Sequence, residues 1–260
     1  MTEFGICSLS VIPVRAEPSE KSEMVTQLLF GDLFIINGKK EGWCNIRIVF
    51  DNYEGWIDEK MITSLEEEEF NRLNHSECLY TTEIVDVMND ITNGILFPVL
   101  AGSVIRNISG NVFYTGDKQY HFEGEVTRQG ASSNGLGIVE TAMTYFNAPY
   151  LWGGKTHFGI DCSGFTQQVF KLCGVKLLRD ASQQATQGEH INFISEAEPG
   201  DLAFFDNEEG SIVHVGIILK NQKIIHASGK VRIDTIDHQG IINTVTKSYT
   251  HKLRLIKRII

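Results

Sequence analysis

The sequence lacks an excess of positive charge. Its 23 Lys and Arg residues stand against 33 Asp and Glu residues, the formal net charge is -10, and no Lys/Arg-rich run occurs. A nucleic-acid backbone or an anionic membrane surface is therefore not expected as a partner. The acidic excess instead suits a cationic or amine-bearing ligand.

Long apolar runs are also missing. No stretch reaches the length of a transmembrane helix, so no membrane insertion is expected. The first residues, MTEFGICSLSVIPVRAEP, contain no basic segment followed by a continuous apolar one, as a secretory signal peptide would. We expect a cytoplasmic protein, with the periplasm or cell envelope as the alternative if an export signal was removed.

Cysteine is scarce and unpaired. The five cysteines are an odd number and form no CxxC pair, which argues against a disulfide framework and against a structural zinc site. Four of them are flanked by apolar residues and are interpreted as inert core: Cys7, Cys44, Cys78 and Cys173. No metal and no cofactor are expected.

What is present is the composition of a globular protein, with 42% hydrophobic and 22% charged residues over 260 positions. From Cys7 to Thr63 short alternating runs are separated by Gly, Asn, Asp and Pro, a pattern typical of a small β-barrel or sandwich. The hairpin VIPVRAEPSEKSEMVTQLLFGD and the closing NYEGWID resemble a bacterial SH3-like domain. We assign this domain to residues 1–64.

The next segments predict a short helix and more strands. Residues 65–77 contain Glu66 to Glu69 ahead of Phe70 and Leu73, which predicts a helical linker with acids in its first turn. These acids are interpreted either as a cation site or as a solvated helix start. Residues 78–128 again have the pattern of strands and predict a second small β domain, SH3-like or not. RQGASSNG predicts a linker over 129–135.

Residues 136–260 have a different pattern. GIVETAMTYFNAPY, CSGFTQQVFKLCG and SQQATQG predict helices, and five later runs predict strands: DLAFFD, SIVHVGIIL, KIIHASG, KVRIDTI and HKLRLIKRI. Helices followed by an antiparallel sheet describe an α+β domain. The fold class predicted for the chain is thus α+β, preceded by one or two small all-β barrels.

Cys162 differs from the other cysteines because its neighbours are Asp161, Ser163 and Gly164. Asp161 is a suitable N-cap for the helix that follows. The thiol would then lie in the first turn, off the apolar stripe, where the helix dipole favours the thiolate. The amides of Cys162 and Ser163 are free within the helix and could stabilise an oxyanion.

A thiolate nucleophile needs a base and a group that orients the base. His214 and His226 lie on two strand-like runs joined by KNQK, which would pair as a hairpin and hold the two imidazoles side by side. A histidine on a strand is also compatible with a purely structural role.

Five motifs, in order, resemble the NlpC-type cell-wall cysteine peptidases, a branch of the papain-like fold: YLWGGKTHFGIDCSGFTQQVF, RDASQQ, PGDLAFFD, HVGIIL and IIHASGKV. The resemblance spans about the last half of the chain. It implies that Cys162 is the nucleophile, His214 the general base and acid, and His226 the residue that orients His214. It also implies that Tyr150 assists the oxyanion.

The SH3-like segment ahead of such a domain resembles the subgroup that releases L-alanyl-γ-D-glutamate from peptidoglycan stem peptides with a free N-terminal alanine. The resemblance implies these substrate contacts: Asp161 and Ser163 beside the nucleophile, Glu17 and Tyr53 from the first domain, Trp152, Arg179 and Ser182. Glu17 and Tyr53 could equally be an exposed loop acid and a packed barrel tyrosine. Trp152 could be structural, and Arg179 could form a local pair with Asp180.

Three other functions stay open. An endopeptidase would act on intact peptidoglycan, a non-catalytic wall-binding protein would keep Cys162 as a relic, and a metal site would use Cys162, His214 and His226. The expected partners are stem peptides derived from peptidoglycan, not nucleic acid, and the chain is expected to be a monomer.

Overall fold

The computed structural model describes residues 3–128 and 134–260. The chain divides into two compact units, Met1–Ala131 and Ser132–Ile260. Most of the predicted linker, residues 129–133, lies outside the described residues. Its last two residues are Asn134, whose side chain caps a helix, and Gly135, the first residue of that helix. Among the described helices, none is long and apolar enough to cross a membrane.

The first unit is almost entirely β-structure. Seven strands form one antiparallel sheet in the order β3-β2-β6-β5-β4-β1-β7. Their bounds are β1 Glu3–Ile6, β2 Val11–Arg15, β3 Met24–Leu29, β4 Leu33–Lys40, β5 Trp43–Ile48, β6 Glu54–Asp58 and β7 Thr63–Leu65.

Alternation explains how this sheet encloses its core. In β5 the residues Cys44, Ile46 and Ile48 are buried and those between them are not, as the two-residue period of a half-buried strand requires. They pack with buried side chains of β2, β3 and β4 in one apolar cluster. Cys7 lies in the same cluster, so Cys7 and Cys44 are core residues, as predicted.

The predicted helix after Leu65 is confirmed as α1, Glu67–Asn74, with three acids in its first turn. Phe70 and Leu73 are buried against Ile6 and Leu33 of the first sheet. The helix therefore packs onto the sheet that precedes it.

Residues 78–128 form two small sheets, β10-β9-β13-β12 and β11-β8-β14. An aromatic core holds them together, in which Phe113 and Tyr120 stack with ring centroids 5.2 Å apart. The strands are β8 Cys78–Thr81, β9 Val85–Asp90, β10 Ile95–Leu100, β11 Val104–Arg106, β12 Val112–Thr115, β13 Lys118–His121 and β14 Val126–Arg128.

The second unit begins with helices and ends in a sheet, as predicted. The helices are α2 Gly135–Thr144, α3 Cys162–Leu172 and α4 Ala181–Gln184, and a two-stranded ribbon of β15 Lys155–Thr156 and β16 Gly159–Ile160 precedes α3. Helix α4 is shorter than SQQATQG indicated. The sheet strands are β17 Glu189–Ile191, β18 Leu202–Asp206, β19 Ile212–Leu219, β20 Lys223–Ser228, β21 Lys230–Ile236, β22 Gly240–Ile242 and β23 Tyr249–Arg258.

This seven-stranded sheet has the order β17-β23-β18-β19-β20-β21-β22, with β22 also pairing β23. Strands β19, β20 and β21 are consecutive and antiparallel. The predicted hairpin between β19 and β20 is confirmed, and Asn221 and Gln222 both have positive φ in its turn. One face of the sheet packs against α2 and α3, and the other carries a separate apolar cluster around Phe205 and Ile224.

Candidate active site

Helix α3 places Cys162 at its first residue. The Asp161 carboxylate accepts the Gly164 amide at 2.6 Å, which is the predicted N-cap. Gly174 follows the C-cap with φ +79, as the predicted stop. Sequence signals at both ends of the helix therefore fix where the thiol lies.

The environment of Cys162 differs from the expectation. Residues 162–171 of α3 are all buried, so Cys162 does not lie off an apolar stripe, and the residue is only 7% exposed. Burial raises the pKa of the thiol to about 12, with Asp161 adding to the effect. The prediction that the helix dipole would favour a thiolate was wrong, because desolvation of the charged form outweighs the helix terminus. The resting group is the thiol.

Two backbone amides nevertheless contact the sulfur. The amides of Ser163 and Val215 donate to Cys162, and both lower the thiol pKa. Val215 directly follows His214 on β19, so this contact brings the thiol to the strand that carries the expected base. A bond from Ser163 also agrees with the expected oxyanion donor.

The two predicted histidines meet. His214 Nε2 and His226 Nδ1 are 2.8 Å apart and both side chains are buried. Gly216 makes this possible, since a Cβ at Gly216 would lie 2.9 Å from the Cβ of His226. Burial and the neighbouring His226 and His251 hold the pKa of His214 well below its ordinary value, so the base is neutral at rest.

Asp234 on β21 makes the next contact after the His214–His226 pair, and it was not predicted from the sequence. His226 Nε2 lies 3.1 Å from Asp234 Oδ2, and both side chains are 1% exposed. The signal was an acid inside the apolar run VRIDTI, at a strand position where burial demands a partner. Its location depends on register: His226 pairs Arg232, and Asp234 lies two residues further on the same face.

His251 on β23 was also missed. Its ring stacks on His214 with centroids 4.2 Å apart, and burial lowers its pKa to about 4. Nitrogens of His214, His226 and His251 lie within 4.8 Å of one another, a set of donors that a metal ion could use. Two of these rings are already joined through His214 Nε2 and His226 Nδ1, so a metal would have to break that bond.

Asp161 and Arg179 form a buried ion pair beneath the thiol. The guanidinium contacts both carboxylate oxygens, at 3.1 Å and 2.6 Å, and donates to Ser163 Oγ at 2.9 Å. The carboxylate also accepts the amides of Gly153 and Gly164 and the Ser163 hydroxyl. Asp161 thus receives five donors and holds the first turn of α3 to the Trp-Gly-Gly turn.

Arg179 is a correction to the predicted substrate contacts. Its side chain is 1% exposed and its charge faces Asp161, so it does not present a guanidinium to a ligand carboxylate. Asp180 forms a capping box with Gln183 at the start of α4, and its local pairing with Arg179 stays a prediction.

The other predicted residues of this unit are differently placed. Tyr150 is half-buried, and burial with Cys162 and Asp161 nearby raises its pKa to about 12, so it stays a phenol able to donate. Ser163 is buried, with its hydroxyl in the Arg179 network. Trp152 is 60% exposed, and Ser182 is exposed on the first turn of α4.

Glu17 and Tyr53 belong to the first unit. Glu17 is exposed in the loop between β2 and β3, where its backbone amide donates to Ser22 Oγ at 2.9 Å. Tyr53 is half-buried against the core of the first sheet. Their predicted role in a substrate pocket stays a prediction.

A thiol at the start of a buried helix, in contact with the Val215 amide next to His214, can attack a carbonyl carbon while the imidazole takes its proton. That is the chemistry of a papain-like cysteine peptidase.

Family comparison makes the class specific. Residues 147–250 match the NlpC/P60 family, and residues 14–62 match the bacterial dipeptidyl-peptidase SH3 domain. The chain therefore contains an NlpC/P60 domain behind an N-terminal SH3-like domain, which supports a cysteine peptidase and confirms the resemblance and the fold class predicted from the sequence.

Individual relatives support the match to these two domains. A γ-D-glutamyl-L-lysine dipeptidyl-peptidase of Bacillus subtilis is 41% identical over 92 residues, which cover 35% of this chain and 31% of that protein. Dipeptidyl-peptidase 6 of Lysinibacillus sphaericus is 26% identical over 86% of this chain and 88% of its own. The crystal structure of an NlpC/P60 family protein from Bacillus cereus has a TM-score of 0.83 at 19% identity, covering 98% of this chain and 99% of that one, and shares the fold.

Proposed function

We propose that this peptidase hydrolyses the γ-D-glutamyl bond to the diamino acid in peptidoglycan stem peptides whose N-terminal L-alanine is free, and that it releases L-Ala-γ-D-Glu. The observation that carries the proposal is the pairing of a dipeptidyl-peptidase type of SH3 domain with an NlpC/P60 domain in one chain. One relative that matches 92 residues and one that matches most of the chain are named as dipeptidyl-peptidases, which supports the same interpretation. Relatives that are 38–39% identical over 104 residues are named as probable endopeptidases p60, so the endopeptidase is the second candidate function.

The proposed reaction has two stages. Cys162 Sγ attacks the γ-carbonyl carbon of D-glutamate while its proton passes to His214 Nδ1, and the Ser163 amide and Tyr150 hydroxyl donate to the oxyanion. The intermediate then expels the diamino-acid amine, which takes the proton from His214. Water next attacks the thioester with His214 as base, and the thiol is restored.

The free amine of the substrate needs an anionic partner in a partly dry site. Asp161 is next to the nucleophile, but its two oxygens already receive five donors, Arg179 among them. Glu17 is an exposed carboxylate in the SH3 domain and has no such set of donors on its side chain among the contacts described. We therefore keep Glu17 and Tyr53 as the ammonium contacts that the resemblance implies, and give Asp161 a supporting role.

The proposed setting is recycling of wall-derived peptides by a monomer in the cytoplasm. It rests on the unusual substrate, since stem peptides with a free N-terminal alanine have already been separated from the glycan.

One experiment tests the substrate. The protein is incubated with L-Ala-γ-D-Glu-L-Lys and with the N-acetylated tripeptide, and products are identified by mass. Only the free-amine peptide should yield L-Ala-γ-D-Glu, and Cys162→Ala should yield none. Equal cleavage of both peptides would instead identify an endopeptidase, and loss of activity in EDTA would point to the metal site.

The amine contact is tested by exchange of one carboxylate. Glu17→Gln should raise KM for the free-amine tripeptide about tenfold, because an amide cannot neutralise the ammonium. Glu20→Gln, in the same exposed loop, is the matched control and should leave KM unchanged. Equal KM values for both variants would remove Glu17 from the site.

A further inference from the structure

Asp234 is the last group of a line of hydrogen bonds that runs from His214 through His226. Its side chain is 1% exposed, and every partner described for it is a donor. Oδ1 accepts the Thr244 amide at 2.7 Å, the Thr244 hydroxyl at 2.9 Å and Arg232 Nη2 at 3.0 Å. Arg232 Nε lies 2.8 Å from Oδ2, the same oxygen that faces His226 Nε2.

The donors around Asp234 keep its side chain ionised as a carboxylate. The bonds from His226, Thr244 and Arg232 hold its pKa well below its ordinary value in spite of burial. A carboxylate can only accept, so the contact at 3.1 Å requires the proton to be on His226 Nε2.

The position of the proton on His226 determines the position of the proton on His214. A neutral imidazole with its proton on Nε2 has a lone pair on Nδ1, so His226 Nδ1 accepts across the 2.8 Å contact with His214. His214 must then donate from Nε2. Its Nδ1 is left with a lone pair on the side of the ring away from His226.

We propose that Asp234 is a positioning residue that sets the tautomer of both histidines, so that His214 presents a proton acceptor to the Cys162 thiol. A histidine in the third position cannot do this alone, because either ring nitrogen can carry the proton. The inference rests on the proposed function only in taking Cys162 as the nucleophile and His214 as its base.

Asp234→Asn should reverse which nitrogen donates in the hydrogen bond between His226 and His214. The Thr244 amide is a fixed donor, so the Asn carbonyl oxygen takes the Oδ1 position and the NH₂ group faces His226 Nε2. His226 must then protonate Nδ1, and His214 must turn a protonated Nδ1 toward the thiol. We expect kcat to fall by roughly 10²- to 10⁴-fold with KM little changed, as for an Asp→Asn change behind a catalytic histidine in a serine protease.

The matched control is Asp237→Asn. Asp237 follows the same strand, and its carboxylate bonds Tyr249, Gln239 and Gly240, without contact to the histidines among the bonds described. Its kcat should stay within twofold of the unchanged protein.

Two readouts do not depend on the substrate. Nitrogen-15 NMR of the unchanged protein should show protons on Nε2 of both His214 and His226. Alkylation of Cys162 by iodoacetamide at pH 7 forms an S–C bond, expels iodide and transfers the thiol proton to His214. Its rate should fall at least tenfold in Asp234→Asn and stay unchanged in Asp237→Asn.

A proton on His226 Nδ1 in the unchanged protein overturns the proposal, whether or not the variant folds. So does an Asp234→Asn variant that is alkylated within twofold of the unchanged rate. If NMR and alkylation agree with the proposal but the tripeptide is not cleaved, the substrate assignment fails and the role of Asp234 stands.

Discussion

Arg179 was expected at the ligand and is instead used inside the protein. Arg179→Met would leave the Asp161 carboxylate buried without its cation. Breaking a buried ion pair from one side costs about 3–5 kcal/mol, so we expect the free energy of unfolding to fall by that amount. Urea unfolding followed by circular dichroism measures it.

The control for this change is Arg72→Met. Arg72 pairs with Glu69 at 2.6 Å, but its side chain is 45% exposed. A surface pair of this kind contributes less than about 1 kcal/mol. A loss as small for Arg179→Met as for Arg72→Met would show that the Asp161 pair is not a stabilising contact.

The buried His157 makes the stability of the folded chain depend on pH. Its ring stacks on Tyr145 with centroids 3.6 Å apart, and burial lowers its pKa from 6.5 to about 4. Between these values the unfolded chain binds a proton that the folded chain does not, so stability falls as the pH drops from 6.5 toward 4. His157→Phe keeps the stacked ring and removes the proton. Urea unfolding at pH values of about 7.5, 6 and 5 should show a shallower loss in the variant, and parallel curves would contradict this.

Single residues also show how far the structure could be predicted from the sequence. Asp161, Cys162 and Gly174 were predicted because capping is local, and His214 and His226 because a short turn pairs their strands. The Asp234 and Arg179 contacts were not, since the first depends on the register of β20 with β21 and the second joins residues from separate segments. The thiol pKa was wrong because the burial of all sides of α3 is a property of the packed unit.

At the scale of elements, the first turn of α3 is fixed by close backbone contact. A Cβ on Gly164 would meet the Gly154 carbonyl oxygen and would lie 2.9 Å from Asp161 Oδ1. Gly164→Ala gains helix propensity of about 1 kcal/mol, but overpacking against main chain costs about 1–3 kcal/mol. We expect a net loss of stability and slower alkylation of Cys162, measured by urea unfolding and iodoacetamide.

Gly38→Ala is the matched control for Gly164→Ala. It lies in β4 without a positive φ, and a methyl group on its Cα would have no atom within 4 Å among the described residues. Gly38→Ala should leave stability unchanged or raise it by about 0.4–1 kcal/mol. A stabilised Gly164→Ala would mean that the turn at Gly154 can move aside.

At the scale of the whole molecule, each unit has its own core. The second unit buries one apolar cluster between α2, α3 and the sheet and another on the far side of the sheet. A unit with its own core is expected to fold alone. The fragment Ser132–Ile260 should therefore unfold in one cooperative transition by calorimetry, and an NMR spectrum without dispersed amide signals would contradict this.

The succession of β19, β20 and β21 has a consequence for folding. His214, His226 and Asp234 each come from a different strand of one continuous meander, so residues 214–234 carry the base and the two groups hydrogen-bonded behind it. Contacts between residues close in sequence close only short loops and therefore form at a low entropic cost. The orientation of the base is thus set by local pairing of three neighbouring strands.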